Sequence, residues 1–167
     1  MNLSDVNALH PAGFVAALGG VFEHSPWVAE RAYDARPYAN VGALHDAMLR
    51  VVHSATRDEQ LALIRAHPEL AGCAMVRNEM TADSTKEQSG AGLTSCSPEE
   101  YARLVELNAH YNAKFHFPFI LAVKSYDRAG VIAEFARRVE RDVDVEFAEA
   151  LRQIARITRL RLEALLE

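Results

Sequence analysis

Cysteine is nearly missing from this chain: Cys73 and Cys96 are the only two in 167 residues. They stand too far apart for a CxxC metal or redox pair and are too few for the disulfide framework of a small secreted scaffold, so reduced thiols are expected. Positive charge is not in surplus either. Lys and Arg number 18 against 23 Asp and Glu, which leaves no basic footprint for a phosphate backbone or an anionic membrane. Neither nucleic acid nor membrane is therefore the expected partner. Long apolar runs are lacking, since nothing approaches the ~18 consecutive apolar residues of a membrane span. The N-terminus carries Asp5 and no basic cluster ahead of an apolar stretch, unlike a secretory leader. The closing Leu165-Leu166-Glu167 does not match the Ser-Lys-Leu peroxisomal address, and the cytoplasm is the expected compartment. Strand signals are scarce as well. No Asn-Gly or Asp-Gly turn joins two alternating runs, and the one short apolar candidate is 117–123.

What is present points to helices. Half of the residues are hydrophobic, enough for one ordinary core, so a single domain over 1–167 is expected. Helix-start signals recur at Ser25-Pro26, Asn40, Thr56 with Glu59, Ser97-Pro98 with Glu100, and Asp127. Each puts a capping oxygen or a first-turn proline before a periodic segment. The pattern predicts an all-α bundle of about seven to eight helices: a short N-terminal one, then helices near 11–19, 26–35, 41–54, 57–66, 98–115, 128–139 and 143–166. Between them an irregular polar connection, 77–97, is rich in Ser, Thr, Gly and charge. Long connections of this kind often carry function.

Five places could carry chemistry or support it. His67 precedes Pro68, and a residue before proline is pushed out of the α region, so the preceding helix should end there. An imidazole at a helix C-terminus can pass protons near neutral pH, or it can simply cap the helix. Ser84, Glu87 and Gln88 share one short stretch, 83–89. The Ser-x-x-Glu spacing is that of a capping box. A helix starting there meets Gly90 and Gly92 almost at once, so it suits contact with a small polar ring better than stability. In the last helix, Phe147, Leu151, Ile154, Thr158, Leu162 and Leu165 form one stripe, and Arg161 falls inside it while Arg152, Arg156, Arg159 and Glu163 lie opposite. An inward arginine needs an anionic or carbonyl partner, either a protein carboxylate or a substrate. Asn108 similarly interrupts the stripe of Tyr101, Leu104, Val105, Tyr111 and Phe115, with loop anchoring its expected task. Pro118 breaks regular structure in Phe117-Pro118-Phe119-Ile120 and can leave neighbouring amides open to a ligand.

Taken together, Arg65-Ala66-His67-Pro68-Glu69-Leu70-Ala71-Gly72, the run 84–93, Leu107-Asn108, Phe117-Pro118-Phe119-Ile120, Ile154-Ala155-Arg156-Ile157 and Leu160-Arg161-Leu162 resemble the OHCU decarboxylases. These enzymes convert 2-oxo-4-hydroxy-4-carboxy-5-ureidoimidazoline (OHCU) to (S)-allantoin in urate breakdown. The resemblance spans nearly the whole chain. It implies an all-helical fold, a homodimer, and no metal or organic cofactor. It assigns proton transfer to His67 and puts Glu87 in the substrate-contacting turn, where its expected catalytic role is to orient the imidazole or to hold the substrate hydroxyl. It assigns substrate contacts to Pro68, Ser84, Gln88, Phe119, Ile120, Leu121, Ala122, Val123 and Arg161. One departure is His116, where many relatives place glycine before Phe-Pro-Phe. Two readings compete with it. A metalloenzyme would use some of the seven histidines, but there is no HExxH and no histidine pair four apart on one helix. A non-catalytic helical interaction or ligand-binding module would leave Arg161 merely salt-bridged.

Overall fold

The computed structural model describes residues 1–70 and 81–166; Ala71, Gly72, Cys73 and positions 77–80 of the polar connection lie outside them. Two compact units are distinguished, the first built of Met1–Ala66 and Ala155–Glu167, the second of His67–Ile154. Among the described residues there are nine α-helices and no β-strand, and no helix is long and apolar enough to cross a membrane.

In the first unit, α1 (Leu3–Ala8) starts from an Asn2–Asp5 capping box and α2 (Pro11–Leu18) from the His10 ring and a first-turn proline. Helix α3 (Trp27–Ala32) runs into a 3-10 turn at Tyr33–Ala35. Helix α4 (Val41–Ser54) is capped by Asn40, whose Oδ1 accepts the Ala43 amide at 2.8 Å. Helix α5 (Arg57–Arg65) opens on a reciprocal Thr56–Glu59 box. Helix α3 packs on α2 and α4, and Phe14, Leu18, Phe22, Leu44, Met48, Leu63 and Ile64 are fully buried. Each such side chain contributes about 1.5–3 kcal/mol. One expected cap is not used: the Ser25 hydroxyl donates to the Glu23 carbonyl at 2.9 Å, and α3 begins without a side-chain cap. The hydroxyl serves the turn that reverses the chain at His24, whose φ is +45°, and so is spent before the helix starts. Trp27, the only tryptophan, belongs to this unit, with the Arg31 guanidinium over its ring at 4.7 Å.

The second unit holds α6 (Ala82–Gly90), a 3-10 turn at Leu93–Ser95, α7 (Pro98–Phe115), a second 3-10 turn at Val123–Ser125, and α8 (Arg128–Val139). It also holds the first part of α9 (Val143–Leu165). Ser97 and Glu100 form the expected capping box. Asp127 caps α8 by accepting the Gly130 amide at 2.8 Å. Helix α7 packs on α8 around an aromatic cluster in which Phe119 stacks on Phe135, centroids 3.9 Å apart, and Tyr111 meets both rings edge-on.

A further local result differs from the sequence expectation. The polar connection is not wholly irregular, because α6 occupies much of it. Its cap is Thr81, whose hydroxyl accepts the Ser84 amide at 3.3 Å; Ser84 is thereby the third residue of the helix rather than its cap. The buried residues of α6 are Ser84 and Gln88, both polar, so a reading based on apolar periodicity passes over it. His116 closes α7 in the left-handed region, with φ +60° and ψ +23°. Glycine meets that conformation without a Cβ penalty, as the resemblance would lead one to expect there.

Candidate functional site

In the second unit, three separate segments meet at the residues singled out above. Two residues after the last turn of α5, the chain passes through His67 and Pro68, and the His67 side chain is buried. The carbonyls that follow are held from two helices. Gln88 Nε2, on α6, donates to the Glu69 carbonyl at 3.2 Å. Asn108 Nδ2, on α7, donates to the Leu70 carbonyl at 2.8 Å, and the Asn112 amide donates to the Glu69 carboxylate. Asn108 thus serves as the loop anchor its inward position called for. The geometry fixes the backbone immediately after His67, so the imidazole stands on a rigid base rather than on a free loop.

Helix α6 is also packed against the 3-10 turn at Val123–Ser125. Its exposed residues include Asp83, Lys86, Ser89 and Gly90, whereas Ser84 and Gln88 are buried and Glu87 is half-buried. Burying a hydroxyl and an amide costs free energy unless both are hydrogen-bonded. A nine-residue helix that turns such groups inward is a poor stabilising device and a good recognition surface. One element therefore links the His67 segment to the third segment, 119–123, where Phe119, Ile120, Leu121 and Val123 are buried and Ala122 is partly so.

Among the described residues that third segment carries no helix before Val123 and has no sheet partner, and side chains hold two of its main-chain groups. Arg138 Nη1 donates to the Ile120 carbonyl at 2.8 Å. The Ala122 amide donates to Gln153 Oε1 at 3.0 Å. Arg138 is fully buried and pairs with Glu146, itself fully buried, at 2.8 Å, while Tyr111 donates its hydroxyl to Glu146 Oε2 at 2.5 Å. Burial and the neighbouring Glu146 carboxylate drive the Tyr111 phenol far above its ordinary pKa, so it stays a donor. Sequence reasoning passed over Arg138, Glu146 and Gln153. A signal was available for Arg138, which stands three residues after Phe135 and seven after Val131 on the buried face of α8, the same criterion that singled out Arg161.

Arg161 lies in the first unit, in the second part of α9. Its side chain is buried, and Nη1 donates to Glu23 Oε2 at 2.8 Å and to the Val21 carbonyl at 3.4 Å. Of the two partners left open by the pattern, a protein carboxylate is present. Arg159, by contrast, pairs with Glu163 on the exposed face. Among the described residues no group of three or more His, Cys, Asp or Glu is arranged to hold a metal ion.

The arrangement has clear counterparts. The sequence profile described as OHCU decarboxylase matches residues 7–163. The 2-oxo-4-hydroxy-4-carboxy-5-ureidoimidazoline decarboxylase of Haloferax volcanii is 43% identical over 97% of this chain and 94% of its own length. A human protein described as a putative decarboxylase of the same name is 37% identical over 99% of this chain and 96% of its own. Among solved structures, an (S)-allantoin synthase superposes with a TM-score of 0.81 at 28% identity, covering 99% of this chain and 54% of that one. An OHCU decarboxylase crystallised in the presence of (S)-allantoin shares the fold, with a TM-score of 0.69 at 19% identity. With a family profile spanning almost all of the chain and full-length relatives above 30% identity, the chain belongs to the OHCU decarboxylase family.

Proposed function

We propose that this protein decarboxylates OHCU to (S)-allantoin, using side chains alone and protonating one face of the product carbon. Support comes first from the hydrogen bond of Gln88 to the Glu69 carbonyl, which joins the polar helix α6 to the His67 turn and so assembles the segments that carry the family likeness. The substrate explains why side chains suffice. Its carboxylate sits on a ring carbon next to a C=N bond, so the pair from the breaking C–C bond flows into that C=N as CO2 leaves. The nitrogen takes up a proton, and an enol remains. The enol gives up its hydroxyl proton while the adjacent ring carbon gains one, so each turnover consumes one proton overall. Orientation and placed charge are what the protein supplies.

His67 delivers the proton, with Glu87 orienting the imidazole or holding the substrate hydroxyl. Ser84 and Gln88 bind the ureido and ring amides, and Pro68 and the main chain of 119–123 provide further contacts. Arg161 is proposed as a charged substrate contact, the assembly as a homodimer and the compartment as the cytoplasm. The deciding assay generates OHCU in situ from urate and follows allantoin chirality by circular dichroism. Accelerated formation of (S)-allantoin is expected. A time course matching the uncatalysed racemic background would overturn the reading.

A further inference from the structure

The buried groups that hold 119–123 go beyond what this segment needs for stability. A carbonyl is satisfied by any neutral donor, and a buried ion pair is often no more stabilising than apolar residues of similar volume. Here a fully buried guanidinium is spent on it. Arg138 places Nε and Nη2 on Glu146 at 2.8–3.1 Å, leaves Nη1 for the Ile120 carbonyl, and lays its plane over the Phe119 ring at 4.4 Å. Two residues on, Gln153 takes the Ala122 amide with its oxygen. It is itself fixed because its nitrogen donates to Glu149 at 2.7 Å. Glu149 can serve as that acceptor over the whole ordinary pH range: burial pushes its carboxyl up, but the bonds from Gln153 and Arg152 and the charge of Arg138 outweigh this and bring it down to about 2.

The peptide group makes the consequence specific. A trans peptide is planar, with its C=O and N–H pointing in opposite directions. The Ile120 carbonyl and the Leu121 amide belong to one peptide group, and the Leu121 carbonyl and the Ala122 amide belong to the next. Holding Ile120 O and Ala122 N from α8 and α9 therefore aims both the Leu121 amide and the Leu121 carbonyl the other way. Among the described residues no hydrogen bond is made to either group. A charged donor on the Ile120 oxygen also polarises its peptide, making the Leu121 N–H a stronger donor. A donor and an acceptor on one residue, side by side, match the N–H and C=O of a cyclic urea.

We propose that Arg138 and Gln153 are positioning residues, which touch no substrate but lock the two peptide planes around Leu121 so that its main chain reads the cyclic urea edge of the substrate ring. The inference rests on the assignment of 119–123 as a substrate-contact segment. Gln153→Met removes the Ala122 acceptor without stranding a charge, and the paired exchange Glu149→Gln with Gln153→Glu restores an acceptor oxygen at 153 and a donor at 149. A second variant, Arg138→Met with Glu146→Met and Tyr111→Phe, removes the Ile120 anchor while leaving no buried charge or hydroxyl behind. Each is assayed for kcat, KM, enantiomeric excess of allantoin, calorimetric affinity for (S)-allantoin, and thermal midpoint.

Loss of one well-placed hydrogen bond corresponds to about a tenfold change. Gln153→Met and the triple variant should therefore raise KM and weaken (S)-allantoin binding by about that factor, with lower enantiomeric excess and a midpoint near wild type. The paired exchange should recover KM and chirality. Unchanged KM, affinity and chirality in both loosened variants would overturn the inference while leaving the activity in place. Loss of stability alone would do the same by showing a purely structural role. A wild-type protein that neither accelerated (S)-allantoin formation nor bound (S)-allantoin would instead remove the underlying assignment, and the inference with it.

Discussion

Replacing Arg161 by Met tests how much of the first unit rests on one buried ion pair. The side chains of Arg161 and Glu23 are only 6% and 1% exposed, with the charges 2.8 Å apart. Methionine keeps most of the stem volume but deprives Glu23 of its guanidinium. Breaking a buried pair from one side typically costs about 3–5 kcal/mol. The same size follows independently from protonation: a carboxyl with an ordinary pKa near 4.3 takes up a proton at pH 7 for about 3.7 kcal/mol, at about 1.36 kcal/mol per pH unit. That escape route caps the electrostatic cost. For a chain of this size the loss corresponds to a drop in Tm of roughly 6–20 °C. Urea and thermal unfolding at pH 7 would measure it, beside Arg159→Met, which should stay within about 0.5 kcal/mol. Adding Glu23→Gln to Arg161→Met should recover part of the loss. An Arg161→Met protein as stable as Arg159→Met would refute the reasoning, and retained turnover would remove Arg161 from substrate contact.

Three further outcomes are expected. His67→Asn should lower turnover by about 10²- to 10⁴-fold, the usual range for a lost proton-transfer group, with far-UV ellipticity and thermal midpoint close to wild type; near-normal turnover would take His67 out of the mechanism. His116→Gly should raise stability by about 0.5–1 kcal/mol, because relief of the left-handed strain exceeds the added freedom of the unfolded chain, and a destabilised variant in urea unfolding would contradict this. Burial and the nearby Arg159 charge hold the His45 imidazole below its ordinary pKa, so its contribution is present above about pH 6.5 and lost as pH falls through the depressed folded value. His45→Gln should therefore make unfolding midpoints less sensitive to acidification between pH 7 and pH 5.

The amino-acid pattern resolves best those helices whose ends and faces agree. Asn40, Ser97 and Asp127 cap α4, α7 and α8 at the residues expected, and the bounds 41–54, 98–115 and 128–139 coincide with those observed. Each has a capping oxygen, an apolar stripe and a clear stop, three independent signals for one element. Helix α6 has only the cap, and it turns polar residues inward, which is why it reads as a loop. Long-range pairing is another matter. The inward position of Arg161 is legible from helical spacing, but its partner Glu23 lies 138 residues away, and nothing local marks that carboxylate. The same holds for Gln153, whose importance depends on where the irregular segment before Val123 happens to run. Pro118 shows that this segment cannot be a ladder strand; which side chains would replace the ladder emerges only in three dimensions.

The placement of Trp27 gives the molecule a built-in local reporter. Its fluorescence, with the Arg31 guanidinium against the ring, comes from a residue of the first unit, whereas far-UV ellipticity sums over the helices of both. Superimposed denaturation curves from the two signals would mark a single cooperative body. Separated curves would mean that the unit carrying Arg161 and the unit carrying His67 melt on their own terms, and would say which of them yields first.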